Sequence, residues 1–222
     1  MEHRETEIKL KLDASIPRTA ARLRSLGATL HRRRHFEDNF ILEDSGGELR
    51  RAGSLLRVRL TPALAFLTFK GPRRIVAGTK ERDEIEMEVQ DGPLLLKILG
   101  RSGMRCAFRY QKYRTVYRQA SVLITLDETP IGNYMELEGP RERIARLARR
   151  LGFGREDFIT DTYHGLFISY KKAHCIKSEN MVFGIVSGRG LPRALSISMG
   201  GKSRGHKRRG FQSLSSRRRS FH

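Results

Sequence analysis

Glu5, Glu7 and Lys9 lie two residues apart, and the same spacing recurs along the chain: Arg57 and Arg59; Lys70; Arg82, Glu84 and Glu86; Lys112 and Arg114; Asp127; Glu136 and Glu138. In a β-strand that spacing puts side chains on one face. The set holds seven cations and seven carboxylates. Arginine and lysine bind phosphate oxygens, arginine in a two-toothed fashion. Carboxylates hold hard divalent ions such as Mg²⁺ or Mn²⁺, which bridge the same oxygens. An anion pocket alone would not need the carboxylates, and a metal site alone would not need seven cations. The two together suit a triphosphate brought in with its metal.

The intervening residues are largely apolar. Ile8, Leu10 and Leu12 alternate with the first charged set, Leu56 and Val58 with the second, Ile85 and Met87 with the fourth, and Met135 and Leu137 with the last. Strands are therefore expected over 5–12, 56–60, 66–70, 82–89, 108–118, 122–127 and 134–138, with a weaker eighth over 36–43. Three amphipathic helices interrupt them. The first follows Ser15 and Pro17 and stops at Gly27; the second starts at Gly92-Pro93; the third spans 141–151 and closes at Gly152. One alternating strand with a charged face is ordinarily a solvent face. Here the charged faces are dense Glu-x-Glu, Arg-x-Arg and Lys-x-Arg pairs, and the helices need apolar surface to cover. The expected fold is α+β: an eight-stranded antiparallel β-barrel with a charged interior, clothed outside by helices.

Competing chemistry finds little support. The chain has no phosphate-binding Gly-x-x-x-x-Gly-Lys loop, no His-Glu-x-x-His and no Gly-x-Ser-x-Gly. Its seven histidines and two cysteines, Cys106 and Cys175, lack metal-ligand spacing. Arg32-Arg33-Arg34 reads as a solvated basic cluster.

The formal charge of +20 is unevenly spread. Residues 1–172 hold 33 Lys/Arg against 23 Asp/Glu, whereas 173–222 hold 11 against the single acid Glu179. A domain over 1–172 is expected, followed by a disordered, low-complexity basic tail over 173–222 that is too poor in apolar residues to fold. Such a tail could touch nucleic acid through counterion release. No run of eighteen apolar residues exists, so no membrane span is expected. The first residues lack the apolar stretch of a secretory signal, which points to the cytoplasm.

Glu5-Thr6-Glu7-Ile8-Lys9 resembles the Glu-x-Glu-x-Lys signature that opens CYTH domains, the triphosphate tunnel metalloenzymes. The later motifs follow in family order, from Leu56-Arg57-Val58-Arg59 and Thr68-Phe69-Lys70 through Arg82-Asp83-Glu84-Ile85-Glu86 and Lys112-Tyr113-Arg114 to Leu126-Asp127 and Glu136-Leu137-Glu138. Thr162-Tyr163-His164-Gly165-Leu166 resembles the closing motif. The resemblance covers about residues 2–170 and is greatest to the bacterial class IV adenylyl cyclase branch.

It implies that Glu5, Glu7, Glu136 and Glu138 hold Mg²⁺ or Mn²⁺, supported by Glu84, Glu86 and Asp127. Lys9, Arg57, Arg59, Lys70, Lys112 and Arg114 would bind phosphates and stabilise the transition state, with Arg82 as a further substrate contact. ATP, tripolyphosphate and thiamine triphosphate are the candidate substrates. Cyclisation and hydrolysis both remain open, as do a binding module without turnover and a homodimer.

Overall fold

The computed structural model describes residues 2–184, with side chains from Glu5 onward; the expected tail over 185–222 lies outside the described residues. The strands are β1 (Glu2–Leu12), β2 (Thr29–Glu43), β3 (Leu55–Leu60), β4 (Ala65–Lys70), β5 (Arg74–Val76), β6 (Thr79–Val89), β7 (Arg105–Gln119), β8 (Val122–Thr129) and β9 (Gly132–Glu138). The helices are α1 (Ile16–Ser25), α2 (Glu48–Arg51), α3 (Gly92–Arg101), α4 (Arg141–Arg150) and α5 (Tyr163–Ala173).

Eight strands form a ring in the order β1-β9-β8-β7-β2-β3-β4-β6, and β6 pairs back onto β1. Every pairing between strands is antiparallel, and the short β5 attaches to the start of β6. Closure leaves the ring without free edges. The register brings the charged positions of neighbouring strands side by side: Glu138 opposite Glu7, Glu136 opposite Lys9, Arg82 opposite Glu5, Glu84 opposite Lys70, and Arg114 opposite Asp127. A one-residue slip in any of these strands would turn its charged set outward, so the apolar faces enforce the register.

Those apolar faces build the core outside the ring. Ile8, Leu10, Ile124, Leu126, Met135 and Leu137 pack with Leu23 of α1 and Ile144 and Leu147 of α4. Phe40, Leu42 and Val58 pack against Leu96 of α3. The side chain of Asp91 accepts from the Leu94 backbone N–H at 2.8 Å and so caps α3. Gly92 lets that helix approach the sheet: a Cβ there would stand 2.3 Å from Leu60 Cδ2 and 2.6 Å from Ala65 Cβ.

Helices cover the outside of the ring as expected, though not all of it, and two other expectations are corrected. The helices lie over the sides formed by β1, β8 and β9 and by β2 and β3, so Phe69, Ile85 and Met87 on the outside of β4 and β6 stay exposed, Met87 at 58 %. The first correction is α5, which begins at Tyr163, where no helix was expected. The Thr162 hydroxyl caps it by accepting from the Gly165 N–H at 3.1 Å. Phe167 of α5 joins inward-facing Phe108, Tyr110 and Tyr134 in an aromatic cluster.

The second correction concerns the boundary at 172, because the chain folds on through Gly184. Met181 is fully buried; its N–H donates to the Arg109 carbonyl at 3.0 Å and its carbonyl accepts from the Gln111 N–H at 2.9 Å. Among the described residues no helix is long and apolar enough to cross a membrane.

Candidate active site

A cavity of about 990 Å³ occupies the inside of the ring. Thirteen of the fourteen expected residues line it: Glu5, Glu7, Lys9, Arg57, Arg59, Lys70, Arg82, Glu84, Glu86, Lys112, Arg114, Glu136 and Glu138. Asp127 is the exception. It is 0 % exposed and lies behind the wall. Its carboxylate accepts from Lys112 Nζ at 2.9 Å, from Arg114 Nε at 2.7 Å and from the Tyr163 hydroxyl at 2.6 Å. In this arrangement Asp127 orients two cavity cations rather than facing the cavity.

Glu5, Glu7, Glu84, Glu86 and Glu136 are met by cations. Glu136 pairs with Lys9 at 2.8 Å and also accepts from Arg114. Lys70 bridges Glu5 at 2.6 Å and Glu84 at 2.5 Å. Glu86 accepts from Arg59 at 3.0 Å and from the Thr68 hydroxyl at 2.6 Å. Burial alone would neutralise these groups; the partners outweigh it. Burial works against the Lys9 ammonium, yet Glu136 and Glu7 hold its pKa above the ordinary value. Burial likewise opposes the charged form of Glu136, yet Lys9 and Arg114 hold that carboxyl well below the usual range.

Arg82, expected as a further substrate contact, lines the cavity. Its guanidinium donates to the backbone carbonyls of Gly71, Lys70 and Gly53, so it ties two loops at the cavity wall.

Glu138 behaves in the opposite way. Burial, with Glu5 and Glu7 close by, pushes its pKa up to about 7, and Lys70 only partly compensates. Glu5, Glu7, Glu84 and Glu138 thus lie at one end of the cavity, beside Lys70 and Lys80. Their donors are all hard carboxylate oxygens, the type that Mg²⁺ and Mn²⁺ prefer. The donor set fits such an ion. Among the described residues no three acids, histidines or cysteines already converge as a ligand set, because Glu5, Glu7 and Glu84 are turned to lysines. Toward the cations the mismatch is one of donors: Nε of Arg57 and Nε of Arg59 are buried with no hydrogen-bond partner.

The sequence reading missed four residues that the structure brings to the site. Lys80, at the start of β6, is buried, lines the cavity and pairs with Glu7. It continues the spacing of Arg82, Glu84 and Glu86 but follows the turn at Ala77-Gly78, which hides it. Glu37 on β2 is buried beside Arg59 and Lys112, at 3.5 and 3.6 Å. Burial opposes its ionised form, but Lys112 and Arg114 hold its pKa well below normal. Thr68 links Arg57 to Glu86. Tyr163 lies with Lys9 Nζ and Lys112 Nζ over its ring at 4.5 and 5.0 Å, and burial beside Asp127 raises its pKa well above normal.

Known proteins are similar to this chain. A Methanocaldococcus jannaschii protein, provisionally named an adenylate cyclase, is 27 % identical over 170 residues, which are 72 % of this chain and 95 % of that protein. A solved structure from Vibrio parahaemolyticus, likewise provisionally named, aligns with a TM-score of 0.66 at 18 % identity, covering 74 % of this chain and 97 % of the other. A Hippeastrum protein, provisionally named an adenylyl cyclase and described as having a dominant triphosphatase activity, aligns with a TM-score of 0.57 at 21 % identity, covering 75 % and 96 %. These two structures share the fold. The model of the CYTH domain matches residues 3–163, the span that contains the ring and every charged residue of its cavity, and the chain belongs to the CYTH domain family.

Proposed function

We propose that this protein is a divalent-metal-dependent enzyme that holds a triphosphate in the cavity, with ATP converted to cyclic AMP and pyrophosphate as the leading reaction. The supporting observation is a cavity whose wall carries Lys9, Arg57, Arg59, Lys70, Lys112 and Arg114 among its lysine and arginine side chains, facing carboxylates inside one closed ring. Its volume of about 990 Å³ leaves room for a nucleoside beside the phosphates. The provisional names of the M. jannaschii and V. parahaemolyticus proteins favour the same reaction.

Arg57 and Arg59 would contact phosphate oxygens from the cavity wall. Lys112 and Arg114, held by Asp127, would stabilise negative charge as it develops in the transition state. Glu5, Glu7, Glu136 and Glu138 would hold Mg²⁺ or Mn²⁺, which supplies charge neutralisation and polarises the phosphoryl oxygens when bound. The closed ring restricts water, and positioning with electrostatics carries the rate. In cyclisation the ribose 3′-hydroxyl attacks the α-phosphorus and pyrophosphate leaves.

A second reading is hydrolysis of tripolyphosphate, thiamine triphosphate or a nucleoside triphosphate, favoured by the triphosphatase activity described for the Hippeastrum protein. Parallel incubations with ATP, tripolyphosphate and thiamine triphosphate, each with Mg²⁺ or Mn²⁺, separate the readings. Cyclic AMP plus pyrophosphate marks the cyclase, and orthophosphate alone marks the hydrolase. No product from any of the three sinks both and leaves a binding module.

A further inference from the structure

The carboxylate end of the cavity contains a cation that the reading above leaves unused. Lys80 is buried, and its ammonium pairs with Glu7. In the ladder Glu7 has Lys80 opposite it on β6 and Glu138 opposite it on β9. One step along β1, Glu5 is taken by Lys70, which also holds Glu84. Lysines therefore stand where a divalent ion would meet these carboxylates.

Lys80 differs from its neighbour Arg82 in freedom. The Arg82 guanidinium is tied to the backbone carbonyls of Gly71 and Gly53. The Lys80 ammonium ends a flexible four-carbon stem with rotatable donors, and it lines the open cavity. Removing it from Glu7 would be costly if the carboxylate stayed bare and buried. A divalent ion covers Glu7 with twice the charge, and a phosphate chain offers the freed ammonium a new partner.

We propose that Lys80 is a built-in counter-ion of Glu7 that a divalent cation displaces and that then contacts the phosphate chain, coupling metal binding to triphosphate binding. The inference rests on reading Glu7 as a metal ligand and the cavity as a triphosphate site. Because binding linkage is reciprocal, each ligand tightens the other by the same factor.

The test is calorimetric titration of the full chain with MnCl₂ alone, and with the non-hydrolysable diimidotriphosphate at saturating Mn²⁺. Wild type is compared with Lys80→Met, Lys80→Arg, Glu7→Gln and the Lys80→Met/Glu7→Gln double variant. Lys80→Met is expected to bind Mn²⁺ about tenfold more tightly and diimidotriphosphate about tenfold more weakly, the scale of one charge-assisted contact. The gain in Mn²⁺ affinity should vanish in the Glu7→Gln background, which separates a contact with Glu7 from a general change of charge. Lys80→Arg, which grips Glu7 through two donors, should weaken Mn²⁺ binding, and it carries the test should the methionine variant not fold. Mn²⁺ affinity in Lys80→Met at or below wild type, or a gain that persists undiminished without Glu7, overturns the proposal while wild-type binding of both probes leaves the functional reading standing. Wild type that binds neither probe overturns both.

Discussion

The Tyr163 hydroxyl donates to Asp127 Oδ2 at 2.6 Å, joining the first turn of α5 to a carboxylate buried behind the cavity wall. Asp127 in turn holds Lys112 and Arg114. The helix is thereby connected to two of the cations assigned to the phosphates. Tyr163→Phe removes the donor and leaves Asp127 with its cations. The expected cost is about 1.5–3 kcal/mol of stability, the range for a hydrogen bond to a charged group. Urea unfolding of the two proteins measures it, and an unchanged midpoint would refute the connection.

Asp127 and Arg57 should respond differently to substitution. Asp127→Ala leaves the buried Lys112 without its closest carboxylate and is expected to destabilise by about 3–5 kcal/mol. Arg57→Ala removes a cavity group whose Nε is unsatisfied. It is expected to lower turnover by about 10²-fold, the scale of one transition-state contact, with a much smaller loss of stability. Denaturation curves and initial rates on the same preparations check the contrast; equal losses of stability in the two variants would contradict it.

Stability should fall with rising pH through the Glu138 transition. Its folded pKa is raised to about 7 by burial and by Glu5 and Glu7, above the ordinary glutamate value near 4.5. A raised carboxyl pKa means that the fold favours the protonated form. The associated stabilisation is complete below about 4.5 and is lost as pH rises through about 7. Melting temperatures in a chelating buffer between pH 5 and 8 should decline more steeply for wild type than for Glu138→Gln. Identical slopes would remove Glu138 as the source.

The segment after α5 belongs to the folded unit. Met181→Ala empties a fully buried position packed with Phe108, Tyr110 and Phe167, and is expected to cost about 2–5 kcal/mol. Truncation after Ala173 should destabilise at least as much, whereas truncation after Gly184 keeps all of these contacts. Chemical denaturation of the three proteins tests the order.

Much of this site is legible in the sequence because its interior is polar. An ordinary sheet hides its buried face in apolar residues. Here Glu5-x-Glu7-x-Lys9 and Glu136-x-Glu138 mark the inward face directly, and the helices mark the outward one. Alternation assigns a face but says nothing of depth. It cannot tell that Asp127 lies behind the wall while Glu136, paired across the ladder with Thr125, lies at it. On β2 the signal is diluted, since inward Glu37 and Asn39 are followed by Ile41, and Asp38 shares the outward face with Phe40 and Leu42. Helix α5 escapes because Tyr163-His164-Gly165-Leu166-Phe167-Ile168 is short, apolar and weak in helix propensity. The aromatic contacts with Phe108 and Tyr110 that bury Phe167 come from distant parts of the chain. The same holds for Met181, whose partners on β7 lie some seventy residues earlier.

The central claim is that charged side chains on both sides of one cavity act together on a triphosphate. Its most direct test is the Mn²⁺-dependent turnover of ATP and tripolyphosphate by wild type, Glu7→Gln and Arg57→Ala, with circular dichroism on the same samples. The account predicts product from wild type and a loss of about 10²-fold or more in each folded variant. Near-wild-type turnover in both folded variants would contradict it.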